Sequence, residues 1–568
     1  MKYQVFCISD VTILPFMELY LPVFVNPLFI SYPGSLQNAL IHLFKTAHIH
    51  QKIFLVLKII LVVCLVILLL KKKIRFRNPF LILFFVSILI LFFRLPNTLL
   101  PEQNIDESVY IVGAGVMLDN PTIWKSFDCL TVGPLHSYLL SLSYWLFGGI
   151  NYVSIRLIGI LFCTIPSLVC LYFAVKFLYN QSLALCISLG YGLFNAILTT
   201  FDFVGYSSEL LPHLLLSLEF LCFSAILSGR RLSYAYWLCF IAGLMPYAKL
   251  QGVLLAGLLV VFLFVEIRKQ LTIRKVIGLI SCGLIPSIIL FTYLFSNSLI
   301  DEFYHSYLLF NLEYSGSLTD LKWSLVPDLI IDSPETTPFF VFITAIIGSL
   351  SVYLFTRKSF AHKNRLIYCT LLLIVCWFSI IKPNQFFNHY LIFLFYPIFW
   401  ILGVVSGEFQ HLYPSRFRYY SGALYTVFFL LTVSSFTKKN LGIDYLYGFT
   451  YQPEPLVATI QSLASPLDRM SIWGHGNLAR LHCYTSLLPG TRDVFASRQI
   501  NPSELQPYFI ARYKKDLEQN RPRFIVEDNQ YADYQTHLQT IFPALPQFYS
   551  LHSRHGSINL YVRKDFQQ

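Results

Sequence analysis

The chain has 568 residues, of which 56% are hydrophobic and 13% charged, about half the charged share of an ordinary soluble domain. Its net charge is +12, but the basic residues fall in short clusters between apolar runs. That spacing excludes a nucleic-acid surface and fits a multi-pass membrane protein whose basic loops stay in the cytoplasm. Most of the twelve cysteines lie inside apolar runs, where a thiol behaves as a small hydrophobe, and no Cys/His spacing suits zinc.

In chain order, residues 11–30 are apolar but interrupted by Pro15, Glu18, Pro22 and Pro27, which makes a poor span or an interfacial segment and not a signal peptide. Ile53 to Leu70 reads as a spanning helix, since about 20 helical residues cross a hydrocarbon core of about 30 Å. The cytoplasmic markers are residues 71–77 (KKKIRFR), 229–231 (GRR), 266–275 (EIRKQLTIRK), 357–365 (RKSFAHKNR) and the loop with Arg416 and Arg418. From the first of these, Pro79 to Leu95 runs outward into an external loop, residues 96–151.

Parity then orders the rest. Tyr152 to Leu178 spans inward, Ser182 to Thr199 outward, Ser207 to Ser228 inward, Ser233 to Ala248 outward, Leu250 to Val265 inward and Val276 to Ser296 outward. The segment from Pro134 to Phe147 has no place in this alternation. It is short and amphipathic, and is expected to lie on the outer surface. A second external loop, residues 297–337, precedes three more crossings and an exit through Tyr419 to Phe436.

Residues 438–568 are more charged and hold strand-like runs at Met470 to Trp473, Phe524 to Glu527 and Ile558 to Arg563, with a helix over Glu504 to Gln519. The expected fold is therefore mainly α: a polytopic transmembrane bundle of about 12–13 spans with a small external C-terminal α/β domain. Its parts are an N-terminal segment (1–78), a transmembrane catalytic domain (79–437) and the external domain (438–568). Cys129 and Cys483 both fall outside the expected spans and are candidates for a disulfide.

Ionisable groups at membrane spans are costly and so are candidates for function. Asp106 and Glu107 open an amphipathic helix just beyond a span; neighbours in sequence cannot share a helix face, so one can face a cavity while the other caps the helix or faces solvent. Asp202 and Glu209 flank another outer edge, and Arg156, Lys249 and His389 are cations at outer helix ends. The Trp473-Gly474-His475-Gly476 turn lacks the further glycine and acidic residue of a phosphate loop.

The order Asp106-Glu107, Asp128, Thr131-Val132-Gly133-Pro134-Leu135, Leu146-Phe147-Gly148 and Arg156-Leu157 resembles the GT-C superfamily of lipid-dependent glycosyltransferases, in the branch of protein O-mannosyltransferases and lipid A aminoarabinose transferases. The resemblance is strongest from Asp106 to Leu178. It implies a sugar donor on a polyprenyl phosphate, held between spans of the plasma membrane, and an acceptor glycan, lipid or protein on the periplasmic side.

By that likeness Asp106 is the general base, with Glu107 beside it. Arg156, Lys249 and His389 are cations for the donor phosphate, and Asp128, Asp202 and Glu209 serve the acceptor or the sugar. Asp106, Asp128 and Arg156 are expected around one external cavity. Many relatives carry Lys-Pro-Pro where this chain has Val132-Gly133-Pro134, so another cation must replace that lysine. The carboxylates would suit a divalent cation such as Mg²⁺, Mn²⁺ or Ca²⁺, and the sequence leaves metal dependence open. Two rival readings share the lipid: a flippase or transporter of lipid-linked sugars, and an O-antigen polymerase or ligase.

Overall fold

The structure is a computed structural model and describes residues 56–64, 67, 78–198, 200–316, 337–356, 363–383, 385, 387–414, 454–530 and 537–566. The expectations for residues 11–30, 71–77 and 419–436, and for Arg416 and Arg418, lie outside the described residues.

The membrane part is helical. Helix α1 is Pro79–Thr98, α2 is Ile105–Asp119 and α3 is Leu135–Phe147. Helix α4 runs Tyr152–Leu178 through a π-turn at Gly159–Thr164. Then come α5, Gln181–Ile197; α6, Leu210–Leu227; α7, Ser233–Ala248; α8, Val253–Ile267; and α9, Ile273–Ser296. A bent helical run, residues 300–314, follows. Helices α10, Thr337–Phe355, α11, Lys363–Ile381, and α12, Ile392–Leu412, complete the bundle. Among the described residues six helices are long and apolar enough to cross a membrane, and three shorter apolar ones accompany them. The chain is an integral multi-pass membrane protein.

Helix α12 is the central post. Every residue from Ile392 to Glu408 is buried, as expected of a helix that is apolar all round. It packs against α4, α5, α6, α10 and α11. Gly403 lets α4 approach, since a methyl group there would lie 2.8 Å from Val175 Cγ2. At its far end Glu408 accepts from Tyr179 Oη at 2.7 Å and from Arg365 at 2.9 Å. Helix α9 is the opposite case: Ile273, Ile277, Ile280, Leu284, Ile288, Phe291 and Phe295 are exposed at helical spacing, a stripe suited to lipid.

Helix α3 has 13 residues, about 20 Å at 1.5 Å per residue, which is short of a bilayer core. Its polar face, His136, Ser137 and Ser143, is buried against the protein, while Leu142, Trp145 and Leu146 are exposed. The preceding turn is tight. Gly133 donates to the Ala248 carbonyl at 2.9 Å, and a methyl on Gly133 would stand 2.0 Å from the Tyr247 carbonyl oxygen. Overpacking against backbone costs about 1–3 kcal/mol. Gly133→Ala is therefore expected to lower the thermal midpoint in detergent, whereas Gly257→Ala, which meets nothing within 4 Å, is not. Equal midpoints for the two would refute this close approach.

The described residues 454–530 and 537–566 form the α/β unit. Its strands are β1 Arg469–Trp473, β2 Leu488–Pro489, β3 Phe524–Asp528, β4 Tyr549–His555 and β5 Ile558–Arg563, in the order β2-β1-β3-β5-β4. Strand β1 is parallel to both β2 and β3, and β5 is antiparallel to β3 and β4. The helix Gln506–Asn520 matches the expected one. This unit sits on the loops of the bundle through an apolar cluster in which Val112, Val116, Trp124, Phe127, Leu294 and Tyr307 meet Ala479, Leu488 and Val494.

Candidate active site

Five predicted residues gather at one end of the bundle, each placed by a helix terminus. Asp202 stands in a single helical turn, Phe201–Val204, and Glu209 sits at the N-terminus of α6. Lys249 ends α7, and His389 lies in the 3-10 turn before α12. Lys249 Nζ pairs with Glu209 and donates to Ser208 Oγ at 2.7 Å. His389 stands between two carboxylates, 3.7 Å from Asp202 and 3.9 Å from Glu209.

Asp106 completes the group from the first turn of α2. Asn104 caps that helix by accepting from the Asp106 N–H at 2.9 Å, and its amide donates to Asp202 at 2.7 Å. Tyr110, one turn on, donates to Asp106 at 3.5 Å. Asp106 keeps access to solvent although protein surrounds it. That burial pushes its carboxyl above the usual range, and Glu209 and Asp202 add to the push against the pull of His389 and Lys249. His136 is close, bonded to Tyr206 Oη at 2.8 Å, but burial, with Lys249 nearby, holds its pKa down to about 3. It is therefore a neutral neighbour, not a further cation.

The structure separates Glu107 and Arg156 from this group. Their side chains are fully buried and paired, at 2.7 Å through Arg156 Nε and 2.5 Å through Nη2. Glu107 also accepts the Tyr206 N–H at 2.8 Å and the Gln103 N–H at 3.1 Å. Arg156 spends its other donors on the carbonyls of Asn97, Thr98, Leu100 and Pro101, at and just past the C-terminus of α1. Arg94 serves α5 the same way, donating to the Asn195 carbonyl at 2.9 Å. Arg156, expected at the donor phosphate, has every donor engaged within the protein, and Glu107, expected beside the base in catalysis, is its partner.

Asp128 is also elsewhere. It pairs with Arg498 at 2.7 Å and Arg512 at 2.8 Å, both from the α/β unit and both shared with Asp493. Burial raises the Asp128 carboxyl, but the two guanidiniums outweigh it and hold the group below the usual carboxylate range. Its Oδ1 accepts the Leu130 N–H at 2.9 Å and so supports that residue at φ 56°. Asp128 thus ties the first loop to the C-terminal unit, and its ion pairs, like those of Arg156, are distinct from the group around Asp106. Cys129 and Cys483 are both free thiols.

A cavity of about 180 Å³ opens beside the group, lined by Thr131, Lys249, Gln251, Tyr314, Lys382 and Tyr390 among others. Tyr390 carries Lys249 over its ring at 5.0 Å and meets Tyr314 Oη at 3.4 Å. Sequence reasoning missed Asn104, Tyr110 and Lys382. Asn104 was visible as an N-cap residue before an acidic first turn, Tyr110 as the i+4 neighbour of Asp106, and Lys382 as a cation at the end of an apolar run. Among the described residues no three His, Cys, Asp or Glu side chains are grouped to hold a metal ion.

Known proteins share this architecture. The family model for Dolichyl-phosphate-mannose-protein mannosyltransferase matches residues 131–295. The structure of ArnT from Cupriavidus metallidurans bound to undecaprenyl phosphate is similar over 85% of this chain and 97% of its own, with 12% identity and a TM-score of 0.54. The apo ArnT of the same organism is similar over 80% and 92%, with 12% identity and a TM-score of 0.48. The oligosaccharyltransferase AglB from Archaeoglobus fulgidus is similar over 86% and 74%, with 12% identity and a TM-score of 0.44. No curated protein matches the sequence. The matched stretch carries Asp202, Glu209 and Lys249 but not Asp106 or His389, and the membrane bundle with its small terminal sheet has a fold similar to that of ArnT.

Proposed function

We propose that the protein transfers a sugar from a polyprenyl-phosphate donor to an acceptor hydroxyl on the periplasmic face of a bacterial plasma membrane, with inversion at the anomeric carbon. The observation that carries this reading is the gathering of Asp106, Asp202, Glu209, Lys249 and His389 at one end of the bundle, beside a cavity. A donor with a long isoprenoid tail suits such a site, because the tail can stay among the helices while the sugar reaches the solvent-accessible carboxylate.

In this mechanism Asp106 takes the proton of the acceptor hydroxyl as its oxygen attacks the anomeric carbon. A positioned base of this kind contributes about 10²–10⁴-fold. The bond from that carbon to the phosphate oxygen breaks, and polyprenyl phosphate leaves with one more negative charge. Lys249 and His389 face that charge, where preorganised cations act strongly in a water-poor site. Asp202 and Glu209 orient the two cations and bind hydroxyls of the sugar or acceptor. Glu107 with Arg156, and Asp128 with its arginines, act as positioning residues.

Cells lacking the protein should accumulate one polyprenyl-phosphate sugar and lose one glycosylated acceptor, both read by mass spectrometry of membrane extracts. An unchanged lipid-linked sugar pool would sink the proposal.

A further inference from the structure

Lys382 is a cation that neither composition nor resemblance singled out. It follows α11 directly, and its ammonium donates to the Gly316 carbonyl at 2.8 Å and the Ser315 carbonyl at 3.0 Å. Both acceptors are neutral. Among the described residues no carboxylate pairs with it, whereas Lys249 has its charge met by Glu209. Lys382 and Lys249 line the same cavity of about 180 Å³.

Other linings of that cavity say what it would take. Gln251, Asn311, Tyr314 and Tyr390 bring amide and hydroxyl donors, and Leu250, Leu254 and Leu312 an apolar side. Leu254 and Leu312 are exposed on the outside of the bundle, where lipid would lie. Among the described residues no carboxylate lines the cavity. An apolar side that reaches the bilayer, and a polar end with one cation already neutralised and one not, match an isoprenoid chain ending in a phosphate.

Thr131 also lines this cavity, and it is followed at once by Val132-Gly133-Pro134, which carries no cation. Val132 is buried and brings no charge. The cavity wall at that point is neutral in this chain, and the cation stands instead just past the end of α11.

We propose that Lys382, just past the end of α11, is a phosphate-binding cation of this enzyme in addition to Lys249 and His389. Resting on the donor reading above, this gives the leaving group two ammonium groups. Lys249, its charge met by Glu209, contributes N–H donors to the phosphate oxygens. Lys382 meets the charge that appears when the bond from sugar to phosphate breaks.

The test uses the full-length protein in detergent and undecaprenyl phosphate as the probe, with undecaprenol as the uncharged control. Wild-type protein should bind the phosphate far better than the alcohol. Lys382→Gln should weaken undecaprenyl phosphate binding about tenfold or more, leave undecaprenol binding unchanged, and melt like wild type without ligand; Lys382→Arg should keep most of the affinity. If wild type and Lys382→Gln bind the phosphate equally well, the assignment of Lys382 is wrong and the donor reading stands. If wild type itself does not distinguish the phosphate from the alcohol, the donor reading fails first. Equal losses for both lipids would show that Lys382 shapes the cavity and does not read phosphate, which also overturns the proposal.

Discussion

Asp106→Asn should abolish most transfer, lowering kcat by about 10²–10⁴-fold while leaving the protein folded and able to bind its donor. The amide keeps the shape and can still accept from Tyr110, but it cannot take a proton at neutral pH. Its pH behaviour makes the assignment specific. Asp106 is raised from its usual 3.8 by burial first and by Glu209 and Asp202 next, and a base works only when ionised. Activity should therefore be present above that raised pKa and fall as pH drops through it, giving an acid limb in kcat/KM above the usual carboxylate range. The residual activity of Asp106→Asn should lack that limb. Transfer near the wild-type rate in the variant would remove Asp106 from the role of base.

Arg156→Met should be the most damaging substitution for the fold. It leaves the Glu107 carboxylate buried without its charge partner, which costs about 3–5 kcal/mol, and it takes the guanidinium donor from the carbonyls of Thr98, Leu100 and Pro101. Arg156→Lys should recover little, because a single ammonium cannot reproduce a two-pronged contact with Glu107 and reach four carbonyls as well. Adding Glu107→Gln to Arg156→Met should restore part of the loss, since the stranded charge is then gone. Thermal midpoints of the four proteins in detergent check this directly. If Arg156→Met instead melted like wild type and lost only donor affinity, the phosphate role that the resemblance implied for Arg156 would return.

These two residues also show what a sequence displays and what it hides. The helix ends that carry Asp202, Glu209, Lys249 and His389 were legible because apolar runs stop where the bilayer stops, and parity alone put them on one side. The short amphipathic helix α3 was legible in the same way. Arg156 looked like a free cation at a helix end because its partners are mostly backbone carbonyls, which sequence does not show. Asp128 looked like part of the site because its arginines belong to the C-terminal unit, far along the chain. Strand β4 was missed since it is a polar edge strand with an exposed face, and β2 because it is only two residues long.

The two buried arginines that close off α1 and α5 have an electrical consequence. A helix carries about half a negative charge at its C-terminal end and half a positive charge at its N-terminal end. Helices α1 and α5 finish at the same end of the bundle where α6 and α12 begin, so the floor of the site would present a patchwork of both signs to an arriving phosphate. Arg94 and Arg156 set positive charge against those ends with their donors spent inside the protein. What an anion would then meet is the positive starts of α6 and α12 beside Lys249 and His389. Two buried residues would in this way tilt the local potential toward an anionic guest.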